Sequence, residues 1–406
     1  MRYLSMLLFL TASVTLADWV AIGPDGGNVL TLAIDYSNPA TLFAIPYEYP
    51  AALRLFRSDD QGTGWRAVGL IPQTSVADLI VDRHQSQILY ALSQSSLVLR
   101  STDAGVRWTS STLPGYATAL RSDPHQAGRL MASGYTASGY TQAAVFVSTD
   151  LGLSWTPRTL SLDTNYAYCL AFDPVNPGVA YAGCYRGKVY RTSDGGVNWE
   201  SCSGGLPAEV AVTAMSVNSG DPAIIIAGAS DGVYRTTDGG ANWNRLNSIA
   251  RTYCLEFSPC QVELGYLVGY DSTTRVFIST DAGATWLPQQ SSVSLGKATS
   301  MIADPADGDG VFLHGGMGVM HSPDRGESWD LCNSGMRVAK ISTISVAPWD
   351  RRRIYVEAAD NGVFRSGDCG ADWTRCEDFL SCGSICGIGL APGVGHDVMW
   401  ALEGLG

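Results

Sequence analysis

Eight copies of one short pattern constrain this chain more than anything else in it: Ser or Thr, any residue, Asp, any residue, Gly, two residues, Trp. The aspartates are Asp60, Asp103, Asp150, Asp194, Asp238, Asp281, Asp324 and Asp368. The tryptophans are Trp65, Trp108, Trp155, Trp199, Trp243, Trp286, Trp329 and Trp373. Successive aspartates lie 43, 47, 44, 44, 43, 43 and 44 residues apart. A fixed period of that size is the mark of a repeat architecture, in which each unit buries its faces against its neighbours.

Each period reads as four short strands. Around Asp194, Tyr168–Phe172 is apolar and ends at Asp173-Pro174, and Val179–Gly183 is a second apolar run. Lys188–Arg191 alternates, the box turns the chain, and Trp199 opens a fourth strand. Prolines fall in the turns, where a missing N–H costs no ladder bond. Charged residues are only 16% and glycines number 45, which suits tight turns and short strands. The reading is an all-β chain: a β-propeller of four-stranded antiparallel blades, with eight complete units and a partial ninth. Trp19–Gly23 resembles a stray fourth strand, while Ile385–Ala391 and Val398–Leu402 begin the ninth unit. The chain thus either closes a composite blade or is a fragment cut inside one, and the fragment is favoured.

Residues 1–17 have the form of a secretory signal: Arg2, the apolar stretch Leu4–Leu10, and small residues to Ala17. Residues 18–406 then form the propeller, secreted or held at a cell surface, with no segment of spanning length. The formal charge of −12 without a basic run argues against nucleic-acid binding. Cys202, Cys332 and Cys376 each follow a box Trp by three residues, and Cys169, Cys254 and Cys386 fall in first strands. Repeated placement points to structural disulfides or buried thiols. With no CxxC and scattered histidines, no metal or other cofactor is expected.

The pattern SxDxGxxW resembles the Asp-box, or BNR, repeat of sialidases and other secreted propellers. That resemblance places the box in the turn between third and fourth strands. An Asp accepts backbone N–H bonds in its own turn, Gly supplies the left-handed conformation, and Trp covers the turn. Repeated aspartates lie around a circle and cannot converge on one bond, so a site must come from irregular residues. With first strands at the axis, the long links between second and third strands lie opposite the boxes. Those links carry Tyr47 and Tyr49, Tyr135 and Tyr140, and Tyr270, which suit a sugar ring or a protein surface.

Sialidase-like chemistry implies convergent arginines and a Tyr nucleophile. The early Arg-Ile-Pro stretch is missing, and Arg121, Arg251 and Arg337 are the arginines placed to look inward. The N-terminal phrase Gly26–Val29 and Asp35–Pro39 is similar to xyloglucan-degrading enzymes of two seven-bladed propellers. There the resemblance offers only Glu48 as a catalytic carboxylate. Sortilin-like receptors and photosystem assembly factors use the same propellers as binding scaffolds. The expectation is therefore a scaffold for a glycan or an extracellular protein, with a glycoside hydrolase as the alternative.

Overall fold

In the computed structural model, the described residues are 26–47, 53–136, 142–160, 166–246, 249, 251–270, 274–289, 298–316, 318–334, 341–347, 349–350, 352–358, 362–376, 385–392 and 397–403. The segment Trp19–Gly23 and the residues of the leader lie outside them. The described chain forms eight four-stranded antiparallel sheets, each in sequence order, and a final pair, Ile385–Pro392 with Asp397–Glu403. Turn chemistry sets the order. In every box the Ser or Thr hydroxyl donates to the Asp carboxylate at 2.6–2.9 Å and accepts the Gly N–H at 2.7–3.1 Å. The box glycines sit at φ between 78° and 94°, a region that strains any side chain.

Seven units make a closed ring. Their innermost strands are Val29–Ile34, Val76–Val81, Gly115–Ser122, Ala167–Phe172, Val212–Val217, Arg251–Phe257 and Ala298–Ala303. Each packs on the next around the axis, and the seventh packs back on the first. The closing seam uses a contact that also joins blades four and five inside the ring. Trp65 of blade one donates from Nε1 to the Cys332 carbonyl (2.7 Å) and from its backbone to Ser334 (2.8 Å). Trp243 of blade five does the same to Cys202 (2.9 Å) and Gly204 (2.7 Å) of blade four. Leu32 and Ile34 complete the seam against Phe312, Val319 and Cys332.

Unit eight, with inner strand Ile341–Val346, packs instead on unit nine. Its flank shows the difference. Leu32, Leu79, Leu120, Leu170, Met215, Leu255 and Met301 occupy one repeat position on the inner strand, facing the preceding blade, and none is more than 8% exposed. Ile344 holds that position in unit eight and is 64% exposed. The eight complete units of the sequence are therefore seven blades of one ring plus a unit outside it.

The recurring cysteines have a packing explanation rather than a covalent one. Cys169, Cys184, Cys202, Cys254, Cys260, Cys332 and Cys369 are free thiols, the second of the two readings that their repeated placement offers. Cys202 and Cys332 lie under the box glycines Gly240 and Gly62 of the following blade, where a small side chain fits. Burial pushes their thiols up to about 12 and about 11, which leaves them inert at neutral pH.

Two measurements follow from these contacts. Leu79→Ala should cost about 2–5 kcal/mol in urea unfolding, as for a buried leucine, while Ile344→Ala should cost under about 1 kcal/mol. The second concerns pH. Burial pushes the seam residue His314 down to about 4, against its bond to the Val29 carbonyl. The Asn198 N–H holds Asp194 at about 2, and the Thr236 hydroxyl holds Asp238 at about 2. All three groups bind protons more tightly when unfolded, so stability falls as pH falls. Unfolding free energy should decline first from about pH 6.5 to about 4, by of order 2–3 kcal/mol for His314. A steeper loss should follow from about pH 4 toward 2 as the boxes protonate. In His314→Gln the upper step should shrink to the part contributed by His321, which burial also holds below its ordinary value, and the lower step should remain.

Candidate functional site

The box aspartates are committed to their own turns. Each also accepts the backbone N–H four residues on, at 2.8–3.0 Å. Irregular residues gather elsewhere, in two places at opposite ends of the ring.

The first is a ridge of tyrosines on the face opposite the boxes, across the seam of blades three and four. Tyr116 begins the inner strand of blade three, and Tyr135 is its cross-strand partner. Their rings stack with centroids 5.2 Å apart and planes at 20°. Tyr135 meets Tyr166 of blade four edge-on, at 4.9 Å and 76°. Tyr166 stacks on Tyr168 at 6.0 Å and 24°. Tyr185 lies beyond, and Tyr116 and Tyr185 are 43% and 38% exposed. The bulge between Ala167 and Cys169 carries Tyr168. Burial raises the Tyr135 and Tyr168 hydroxyls above the usual phenol range, and the neighbouring tyrosines add to it.

Of the sequence candidates, Tyr135 is thus drawn into a cluster. Tyr47 and Tyr270 are both 43% exposed on the same face, but on blades one and six. Arg251 lies over the Tyr253 ring at 5.4 Å near Tyr270, rather than in the channel. Glu48, Tyr49, Tyr140 and Arg337 lie outside the described residues.

The second place is the box end of the axial channel. Arg121 donates to Asp78 at 2.8 Å, and Asp78 also accepts the Leu120 N–H at 2.9 Å. Arg83 of blade two stacks on the Tyr36 ring of blade one at 3.2 Å. Tyr36 offers its hydroxyl to Glu256 of blade six, whose other contact is the Ala303 N–H of blade seven at 3.0 Å. Burial pushes the Glu256 carboxyl above the usual carboxylate range, opposed by Ala303, Arg83, Arg121 and Tyr36. Glu256 is therefore placed both to stitch blade six to blade seven and to exchange a proton. Among the described residues no cluster of side chains could hold a metal ion, and no helix is long and apolar enough to cross a membrane.

The sequence carried a signal for these groups that the box pattern obscures. Glu256 and Arg121 fill the repeat position held by Ala33, Ile80, Ala171, Ser216 and Ile302 in the other blades. Tyr36 and Arg83 fill the turn position held by Pro124, Pro174, Pro259 and Pro305. Departures from the repeat, aligned blade by blade, single them out. Tyr116, Tyr166 and Tyr168 sit in or beside first strands, where an inspection of the links between second and third strands does not look.

Comparison with known proteins supports the architecture. Residues 53–169 match the Sortilin-Vps10 family model (sortilin, neurotensin receptor 3). No curated protein matches the chain. A GH74 xyloglucanase from Xanthomonas campestris is similar over 90% of this chain and 70% of its own, with 14% identity and a TM-score of 0.64. An ancestral GH74 enzyme is similar over 94% of this chain and 59% of its own, with 16% identity and a TM-score of 0.68. YCF48 bound to a D1 peptide is similar over 74% of this chain and 94% of its own, with 16% identity and a TM-score of 0.54. At such identities the likeness is one of fold, and with the seven-membered ring it makes this chain a β-propeller.

Proposed function

We propose that this propeller is a secreted or surface-displayed binding scaffold, and that it holds an extended ligand, glycan or protein, on the tyrosine ridge. The observation that carries this is the convergence of Tyr116, Tyr135, Tyr166 and Tyr168 from two blades into one contacting row. Tyr47, Tyr185 and Tyr270 hold the repeat position of Tyr135, and Tyr253 holds that of Tyr168, but among the described residues the tyrosine rings touch one another only here. Aromatic rings with a polar tip present large contact area at low entropic cost. The similar folds include both a peptide-bound protein and glycan-degrading enzymes, so both ligand classes suit such a frame. Retention of the protein on immobilised glycans or extracellular proteins should fall at least about tenfold in Tyr116→Ala with Tyr135→Ala, each ring contributing about 1 kcal/mol or more. Unchanged retention would remove the ridge from the reading.

A hydrolytic reading has one observation in its favour, the Glu256 carboxyl with its raised proton affinity beside Tyr36. A proton donor of that kind is what glycoside cleavage uses. Carbon-13 NMR of Glu256 should show it titrating above the ordinary value near 4.3. Because Arg83 lowers its affinity for a proton, Arg83→Leu should raise that midpoint further. Turnover of sialosides or β-glucans that is lost in Glu256→Gln would make this an enzyme; no turnover in the wild type leaves the binding function alone.

A further inference from the structure

At the seam of blades four and five the box face opens into a cavity of about 720 Å³, within the size range of small-ligand sites. It lies at the other end of the ring from the tyrosine ridge. Arg191, Ser201 and Ser203 line it from blade four, and Asp221, Asp238 and Gly239 from blade five. Residues 166–246 are described without a break, so both walls are in view. We infer that this cavity is a binding site for an uncharged sugar, held through neighbouring hydroxyls.

The cavity exists because one side chain is missing. The residue before the second glycine position of each box takes a left-handed φ, between 52° and 72°. Six of the eight units carry a side chain there, among them Leu151 and Arg325. Leu151 packs against the cluster of Ile88 and Tyr90 at the seam of blades two and three. Arg325 donates to Gln261 of blade six at 3.4 Å. Gly195 has no side chain, but the Arg129 guanidinium fills the space where its Cβ would stand. At Gly239 a Cβ would meet only the Tyr181 hydroxyl, at 3.8 Å. Nothing else takes up the room.

The lining selects the ligand. Tyr181 Oη donates to the Gly239 carbonyl (3.4 Å) and accepts from Arg191 Nε (3.3 Å), which holds the guanidinium at the cavity wall. Among the described residues, the two Nη groups of Arg191 have no hydrogen-bond or ion-pair partner. Asp173 and Asp238 are filled by their own turns. Asp173 accepts the Val175 and Asn176 N–H groups and the Asn176 amide. Asp238 accepts the Thr236 hydroxyl, the Asn242 N–H and the Asn242 amide. Asp221 accepts only the Ala223 N–H, so its second oxygen is left over.

A fork of donors and a carboxylate oxygen therefore line one space. An acidic ligand would meet three carboxylates for one guanidinium. A cationic ligand would meet the Arg191 charge, with two of the three carboxylates already engaged. An apolar ligand would desolvate Arg191 and Asp221 and give neither a partner, which is costly. A hydroxyl both donates and accepts. Adjacent sugar hydroxyls can thus accept from the Arg191 fork and donate to Asp221 together, without net charge.

The test uses the full chain and the uncharged tetrasaccharides of glucose, galactose, mannose and xylose, with tetragalacturonate and tetralysine as charged comparisons. Two-dimensional amide NMR reads affinity and place at once. At least one uncharged tetrasaccharide should shift the Gly204, Gly239 and Ala241 amides saturably, and neither charged oligomer should. Gly239→Leu closes the cavity with the residue that the same turn carries in blade three, at φ 61° against 69°. It should weaken binding at least about tenfold while thermal unfolding stays close to wild type. Arg191→Lys keeps the charge and loses the fork, and should also cost at least about tenfold, a readout that stands even if Gly239→Leu perturbs the fold. Leu287→Ala, on the outer strand of blade six, should change nothing. No saturable shift at these amides with any of the four sugars, or an affinity indifferent to Arg191→Lys and Gly239→Leu, overturns the inference. Tighter binding of either charged oligomer does so too, because the cavity would then be a site for charge. Shifts at Tyr135 and Tyr166 instead would place the sugar on the ridge and remove it from the cavity.

Discussion

The ring depends on one joint: the box of each blade packs against the blade before it. Inside the box, a hydroxyl bridges carboxylate and glycine N–H and fixes the turn. The fixed turn aims the tryptophan, and in blades one and five the indole and its backbone N–H reach the preceding blade directly. Cys332 and Cys202 supply both the carbonyl that is bound and the small side chain under the next glycine. Because the closing joint recurs between blades four and five, closure needs no special latch, only geometry that returns blade seven to blade one.

The fold was legible in the sequence to the extent that its information is local. Box, strand alternation and turn prolines each specify their own few residues, and the eight sheets form as those signals require. Closure after seven blades was not legible. Unit eight carries the same box and an apolar Ile344 where the ring has leucines and methionines, so its sequence reads as one more blade. Whether that isoleucine is covered depends on how rotation accumulates from blade to blade, and no single residue encodes that. The cysteines left disulfides and buried thiols both open for a related reason. Recurrence marks a shared environment, and a shared environment of close packing selects small side chains as readily as a disulfide selects pairs.

The candidate sites were half legible. Tyr135 stood out because its link is long, but the ring it stacks on comes from a first strand and the next ring from another blade. Such contacts join residues tens of positions apart and appear only once the blades are side by side. The channel groups were hidden differently. Tyr36, Arg83, Arg121 and Glu256 are each ordinary residues in ordinary strands or turns; what sets them apart is that the same position in other blades is alanine, isoleucine, serine or proline.

A symmetric frame thereby separates stability from function. Residues repeated in every blade are spread around a circle, and the box hydrogen bonds keep their carboxylates ionised and occupied. Anything that must converge on one ligand has to break the symmetry. It can do so at the axis, where inner strands approach one another, or on the face where links are free of box geometry. This chain does both, at opposite ends of the ring. The channel group is charged and tied into inter-blade bonds through Ala303 and Leu120, so altering it disturbs the frame. The ridge is a row of contacting aromatic rings on the face opposite the boxes. Its chemistry can therefore change without disturbing the box turns, which is the physical reason to seek recognition there.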